Sequence, residues 1–173
     1  MVYAQLNNAN EKRLGLEISN ILLKNNGPVV FVCVGSDRVV GDCLSPIVGE
    51  KIKNLNSKII VYGSLSSPIN YQNLPDVLKM IKQTHSASTV IVIDSVLGKS
   101  DEVGFVKFNK GGLVLGGEYH KGVYFGNYHI VGVVNTTGIN SLTFLKSVKL
   151  LNIIKMSNFI SNAIENAVKF CIV

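Results

Sequence analysis

The amino-acid sequence predicts an α/β fold: a three-layer α/β/α sandwich around a mixed, mainly parallel central sheet, in a single domain over residues 1–173. Two unbroken apolar runs, residues 29–34 and 90–93, have the composition of strands covered on both faces. Segments of helical period lie between them, so strand and helix alternate as in parallel sheets with crossover helices. After Asp94 strands follow one another without helices, which requires some antiparallel pairing. The length suits one core.

In chain order, residues 10–25 place Leu14, Ile18, Ile21 and Leu22 at helical spacing, with Asn10 as N-cap and Gly27-Pro28 as the stop. Residues 29–34 form the first central strand, and its loop, residues 35–43, carries Asp37, Arg38 and Asp42. A helix follows from about Ser45, with Pro46 at its first position and Ile47, Val48, Ile52 and Leu55 as its apolar stripe. Residues 58–62 are a short strand, and residues 73–85 a helix with Leu74, Val77, Leu78 and Ile81 inward. Residues 89–94 are the next buried strand, ending on Asp94. Residues 103–108 alternate as a half-exposed strand, residues 111–117 hold four glycines, and residues 128–135 form the last strand. From residue 140 to about 171 the pattern is helical. One helix of that length would reach about 45 Å, so a break near residues 150–152 is expected.

Composition narrows the function classes. Hydrophobic residues make up 47% of the chain and charged residues 16%, which excludes a disordered polyelectrolyte. The net charge is +6, but the lysines are dispersed, at 51, 53 and 58, at 107 and 110, and at 146, 149 and 155. Without a basic face or a reading element, nucleic-acid binding is not expected. Three cysteines, Cys33, Cys43 and Cys171, show no metal-ligand spacing and suit a reducing compartment. The opening residues lack the layout of a signal peptide, and no run of about 18 apolar residues occurs. A cytoplasmic protein without a membrane segment is the expectation.

Asp42 and Asp94 are the central candidates for chemistry, because both lie at or just beyond the carboxyl ends of parallel strands, where ligands bind in such sheets. Two carboxylates in a partly dry cleft can divide the work of acid and base, or bind a divalent cation; aspartates after strands also cap helices and brace turns. Arg38 can hold a substrate carboxylate or pair with Asp37 or Asp42. Gly35 and Gly41 permit an unusual φ or close backbone approach, but GSDRVVGD is neither a P-loop nor GxGxxG, so phosphate binding is weakly signalled. Cys43 invites a nucleophile reading with His120 or His129 as base, against simple packing. His85 ends its helix and is expected to be exposed. His120, His129 and Glu118 are placed to reach the cleft, where a histidine would complete a metal site with the two aspartates.

The stretch GSDRVVGDCLSP resembles the motif of the YyaC-type sporulation proteins, relatives of the germination protease of spore-forming bacteria, which typically reads GTDRSTGDSLGP. Gly35, Asp37, Arg38, Gly41, Asp42, Leu44 and Pro46 match; Ser36, Val39, Val40, Cys43 and Ser45 depart. VIVIDSVLGKSDEVGF is similar to the family's second block, and GGLVLGG with HIVGVVN to its third. The resemblance implies the three-layer fold shared with the hydrogenase maturation peptidases and a catalytic pair falling on Asp42 and Asp94. Gly35, Asp37, Arg38 and Gly41 would shape the loop and bind substrate. In the maturation peptidases acidic residues and a histidine contact nickel, which implies a divalent metal as an alternative, with His120 as the candidate third ligand. The implied function is a sporulation-associated peptidase cleaving a specific protein substrate, acting in the cytoplasm, within the developing spore, alone or as a homo-oligomer. Because Val39 and Val40 replace two hydroxyl residues, a non-catalytic sporulation-associated binding protein is the alternative.

Overall fold

The computed structural model describes residues 2–116 and 122–171. Among these the chain runs through β1 (Val2–Ala4), α1 (Asn8–Lys24), β2 (Val29–Cys33), α2 (Leu44–Ile52), β3 (Ile59–Tyr62), α3 (Leu74–Thr84) and β4 (Val90–Gly98). It continues through β5 (Val106–Lys110), β6 (Leu113–Leu115), β7 (Val123–Phe125), β8 (Tyr128–Thr136), α4 (Ser141–Lys146) and α5 (Leu150–Phe170). Short 3-10 turns occupy Val40–Cys43 and Ser100–Glu102.

Six strands pair in the order β1-β5-β8-β4-β2-β3. The β3/β2, β2/β4 and β4/β8 pairs are parallel, while β5 runs antiparallel to both its neighbours. The chain passes from β2 to β3 through α2 and from β3 to β4 through α3; no α-helix separates β4 from β5, and the sheet is mixed there, as the sequence order required.

Alternate residues of the strands feed two cores. Val29, Phe31, Cys33, Ile91 and Ile93 pack with α1, α2 and α5 through Leu14, Ile18, Leu44, Ile153 and Ile160. Val30, Val32, Val34, Val90 and Val92 pack on the other face with Leu74, Leu78 and Ile81 of α3 and with Leu115 and Phe125. The result is the three-layer sandwich expected, with one difference. Beside α3, the second outer layer is a two-stranded sheet, β6 with β7, drawn from the glycine-rich region. Gly112 makes that hairpin possible, since a Cβ there would lie 2.4 Å from the carbonyl oxygen of Phe125.

Several boundaries shift for local reasons. Asn7 rather than Asn10 caps α1: its side chain accepts the Asn10 N–H at 2.9 Å, while the Asn10 amide is spent on the Gln5 carbonyl. The break in the C-terminal helical region falls at residues 147–149, where Val148 turns inward, three residues before the expected place. β1 is a three-residue edge strand too short to carry a periodicity of its own. β4 continues four residues past Asp94 because β8 still pairs with it after β2 has ended. No helix among the described residues is long and apolar enough to cross a membrane.

Candidate active site

At its carboxyl end β2 leaves towards α2 and β3, whereas β4 carries on beside β8. Chains that diverge in this way open a crevice between adjacent strands, the place where open α/β sheets bind ligands. Three backbone hydrogen bonds hold the loop after β2: Gly35 N–H to Ile69 O at 2.8 Å on the β3 side, and Ser36 N–H to Asp42 O at 3.2 Å with Asp42 N–H to Val39 O at 2.9 Å within the loop. Gly35 and Gly41 are positions of close approach. A Cβ on Gly35 would stand 2.3 Å from the Asp42 carbonyl, and one on Gly41 2.7 Å from the Leu145 carbonyl of α4. Asp37 and Arg38 lie exposed on the loop, and among the described residues neither enters an ion pair.

The two aspartates meet at Ser95. Val30 N–H bonds to Thr89 O and Val34 N–H to Ile93 O, so the odd-numbered residues of this segment point their backbone groups at β2. Ser95 is the next odd residue, and by then β2 has stopped. Its N–H donates instead to Asp94 Oδ1 at 2.7 Å, folding the Asp94 carboxyl onto the open strand edge. The Ser95 side chain belongs to the face of Ile91 and Ile93, and its hydroxyl donates to Asp42 Oδ1 at 3.3 Å. Asp94 itself rises from the opposite row, that of Val90 and Val92. The carboxyls thus approach the crevice from the two faces of the sheet and share one residue as donor.

Both carboxyls are partly buried and hold their protons more tightly than free aspartate. Burial pushes Asp42 up to about 6, against smaller opposing effects of the Ser95 hydroxyl and the Ser36 backbone N–H. Asp94 is raised well above the ordinary range, first by burial and then by the charge of Asp42. Asp42 therefore ionises first, and its charge then keeps the proton on Asp94. The Arg38 partnership that would have lowered Asp42 is not formed.

The remaining candidates lie apart from this pair. Cys43 Sγ bonds to the Val39 carbonyl at 3.3 Å, and burial, then Asp42, then Asp37 raise its thiol, the reverse of what a nucleophile needs. His129 sits on the far side of β4 from the crevice, with one ring nitrogen 2.9 Å from Gly111 O and the other 3.2 Å from the Asn109 amide. It does not reach the cleft, because both nitrogens are engaged where β8 begins. His85 is half-buried rather than exposed, held 2.8 Å from the Tyr62 hydroxyl. It borders a cavity of about 280 Å³, with Lys82, Val90, Phe125 and Asn127, at the amino-terminal end of β4 and so opposite the aspartates. His120 and Glu118 lie outside the described residues. Among those described, no three His, Cys, Asp or Glu side chains are grouped to hold a metal ion.

Ser95 is the residue of the candidate site that the sequence did not single out. Its signal was the change from apolar to polar at Asp94-Ser95 within a strand, which marks where a neighbouring strand ends.

Fold and site define the chain as an open α/β domain with a carboxyl pair at its topological switch point. It belongs to the family described as "Protein of unknown function (DUF1256)", which matches residues 1–163. It is similar to "Uncharacterized protein YyaC" of Bacillus subtilis (strain 168), with 33% identity over 157 residues, covering 89% of this chain and 77% of that protein. No solved structure matches it.

Proposed function

We propose that the protein is a sporulation-associated peptidase that hydrolyses a peptide bond of a specific protein substrate with Asp42 and Asp94. The observation that carries this reading is the convergence of the two carboxyls on Ser95, with Asp42 ionising before Asp94. Burial and the charge of Asp42 make Asp94 hold its proton more tightly, which makes Asp42 the candidate base and Asp94 the candidate acid of general acid–base chemistry. Asp42 takes a proton from water as its oxygen attacks the scissile carbonyl carbon. The carbon–nitrogen bond breaks as the Asp94 proton passes to the leaving nitrogen. Transfer of the proton from Asp42 back to Asp94 through solvent restores the starting state. Exposed Asp37 and Arg38 would meet the substrate chain, while Gly35 and Gly41 hold the loop close. The resemblance to the spore germination protease supports the reading and points to the cytoplasm of the developing spore.

Asp42 and Asp94 supply only two donors for a divalent cation and no third side chain joins them among the described residues, so no step is routed through a metal. A second reading, a non-catalytic binding protein on the same fold, is favoured by Val39 and Val40, which bring no hydroxyl to the loop.

The test uses extracts of sporulating cells that lack the protein, incubated with wild type, Asp42→Asn or Asp94→Asn, and new chain termini mapped by mass spectrometry. Cleavage by wild type and by neither variant is expected, all three being folded by circular dichroism. Full activity of either variant overturns the peptidase reading. No cleavage by wild type, with equal capture of one partner by wild type and the double variant, establishes the binding protein instead.

A further inference from the structure

The wall of the crevice on the α4 side continues into an unusual surface. α4 is fixed against the Val40–Cys43 turn by the close Gly41–Leu145 approach, and Asn135 of β8 holds it through the Phe144 carbonyl at 2.9 Å and the Ser147 hydroxyl at 3.1 Å. From there Ile139, Leu142, Leu150, Leu151 and Ile154 stand exposed. Leu150 and Leu151 precede Ile154 and Lys155 by one helical turn, so these four form one patch over the first turns of α5. Exposed Lys146, Lys149 and Lys155 are interleaved with the apolar side chains. No Asp or Glu occurs between Glu118 and Glu165 in the sequence. Apolar side chains clustered on a surface mark a contact site, and the lysines interleaved with them set the sign of its partner.

We propose that this surface docks an acidic polypeptide segment bearing bulky apolar side chains, and that it delivers the segment to the Asp42–Asp94 crevice. Apolar residues would cover Leu150, Leu151 and Ile154, and carboxylates would meet Lys146, Lys149 and Lys155. A polypeptide is favoured over a lipid surface because the patch spans one short helix and two turns of another and adjoins the crevice, which a bilayer would seal. The delivery rests on the peptidase reading; the docking does not, and the test separates them.

The probes are fluorescein-labelled twelve-residue peptides of alternating Glu and Leu, of Lys and Leu, and of Glu and Ser, read by fluorescence anisotropy on the full chain. Wild type is expected to bind the Glu/Leu peptide at least ten-fold more tightly than either other peptide, and more weakly as salt rises. Lys146→Glu combined with Lys149→Glu and Lys155→Glu should lose that binding ten-fold or more, and so should Leu150→Ser with Leu151→Ser, each folded by circular dichroism. Asp42→Asn should bind as wild type does; its loss of cleavage with docking intact would concern the reaction alone. Equal binding of all three peptides overturns the proposal. So does binding confined to phosphatidylglycerol vesicles, or burial of the patch in a dimer detected by sedimentation that both multiple variants dissolve.

Discussion

Replacing Asp42 by asparagine should stabilise the protein at neutral pH while abolishing the proposed cleavage. The carboxyl titrates near 3.8 in its ordinary state and at about 6 in the fold. Between those values the folded state binds more protons than the unfolded one, so stability falls as pH rises through that window. About two units at about 1.4 kcal/mol each place an upper bound of about 3 kcal/mol on the cost of the folded carboxylate above pH 7. Asparagine still accepts the Ser95 hydroxyl but loses the charge-assisted part of that bond, worth about 1 kcal/mol. Partial exposure of Asp42 reduces the gain further, leaving about 1 to 2 kcal/mol, or roughly 3 to 6 °C in Tm for a chain of this size. At about pH 4.5 the wild-type carboxyl is mostly protonated in the fold, and the gain should shrink to about a third. Differential scanning calorimetry of both proteins at the two pH values measures this. A variant that melts lower than wild type by the same amount at both would refute the reasoning and make Asp42 a structural brace.

Ser95→Ala removes the hydroxyl bond to Asp42 but keeps the backbone donor to Asp94. The Asp42 midpoint, followed by carbon-13 NMR of the carboxyl, should rise by about half a unit to one unit, and an unmoved midpoint would mean that the bond carries nothing. Gly41→Ala should displace α4, because its Cβ would meet the Leu145 carbonyl at 2.7 Å; a cost of about 1 to 3 kcal/mol is expected by urea denaturation. Gly27→Ala, which meets nothing within 4 Å, is the control and should stay within about 0.5 kcal/mol. Cys43 should react with iodoacetamide at pH 7.5 more slowly than free cysteine, since its thiol is raised. Rapid labelling would contradict that.

The parts of the fold legible in the sequence were those where burial writes itself into composition. Residues 29–34 and 90–93 are apolar at every position because helices or a hairpin cover both faces, and α3 declared itself through Leu74, Leu78 and Ile81. The hairpin of β6 and β7 was hidden by its glycines, whose role is backbone clearance and not periodicity. Asp94 read as a strand end because the apolar run is interrupted there by Asp94-Ser95; what stops is the neighbouring strand, and β4 goes on through Val96, Leu97 and Gly98 beside β8. The partnership of Asp42 and Asp94 was suggested by position, but Ser95 could not be weighed without knowing which way its N–H points. His129 misled because a histidine beside a strand start looks available, and only the Asn109 and Gly111 contacts show its ring to be occupied.

The unequal lengths of β2 and β4 have a consequence for how such a site can evolve. Residues 94–98 form an overhang of roughly 15 Å at about 3.3 Å per residue, and the step where it begins is set by pairing register rather than by any loop. Side chains on the covering loop, such as Val39 and Val40, can therefore be exchanged without moving the ledge on which Asp94 and Ser95 stand. Lengthening β2 by two residues would pair the first two residues of that overhang and leave Ser95 an ordinary rung of the ladder.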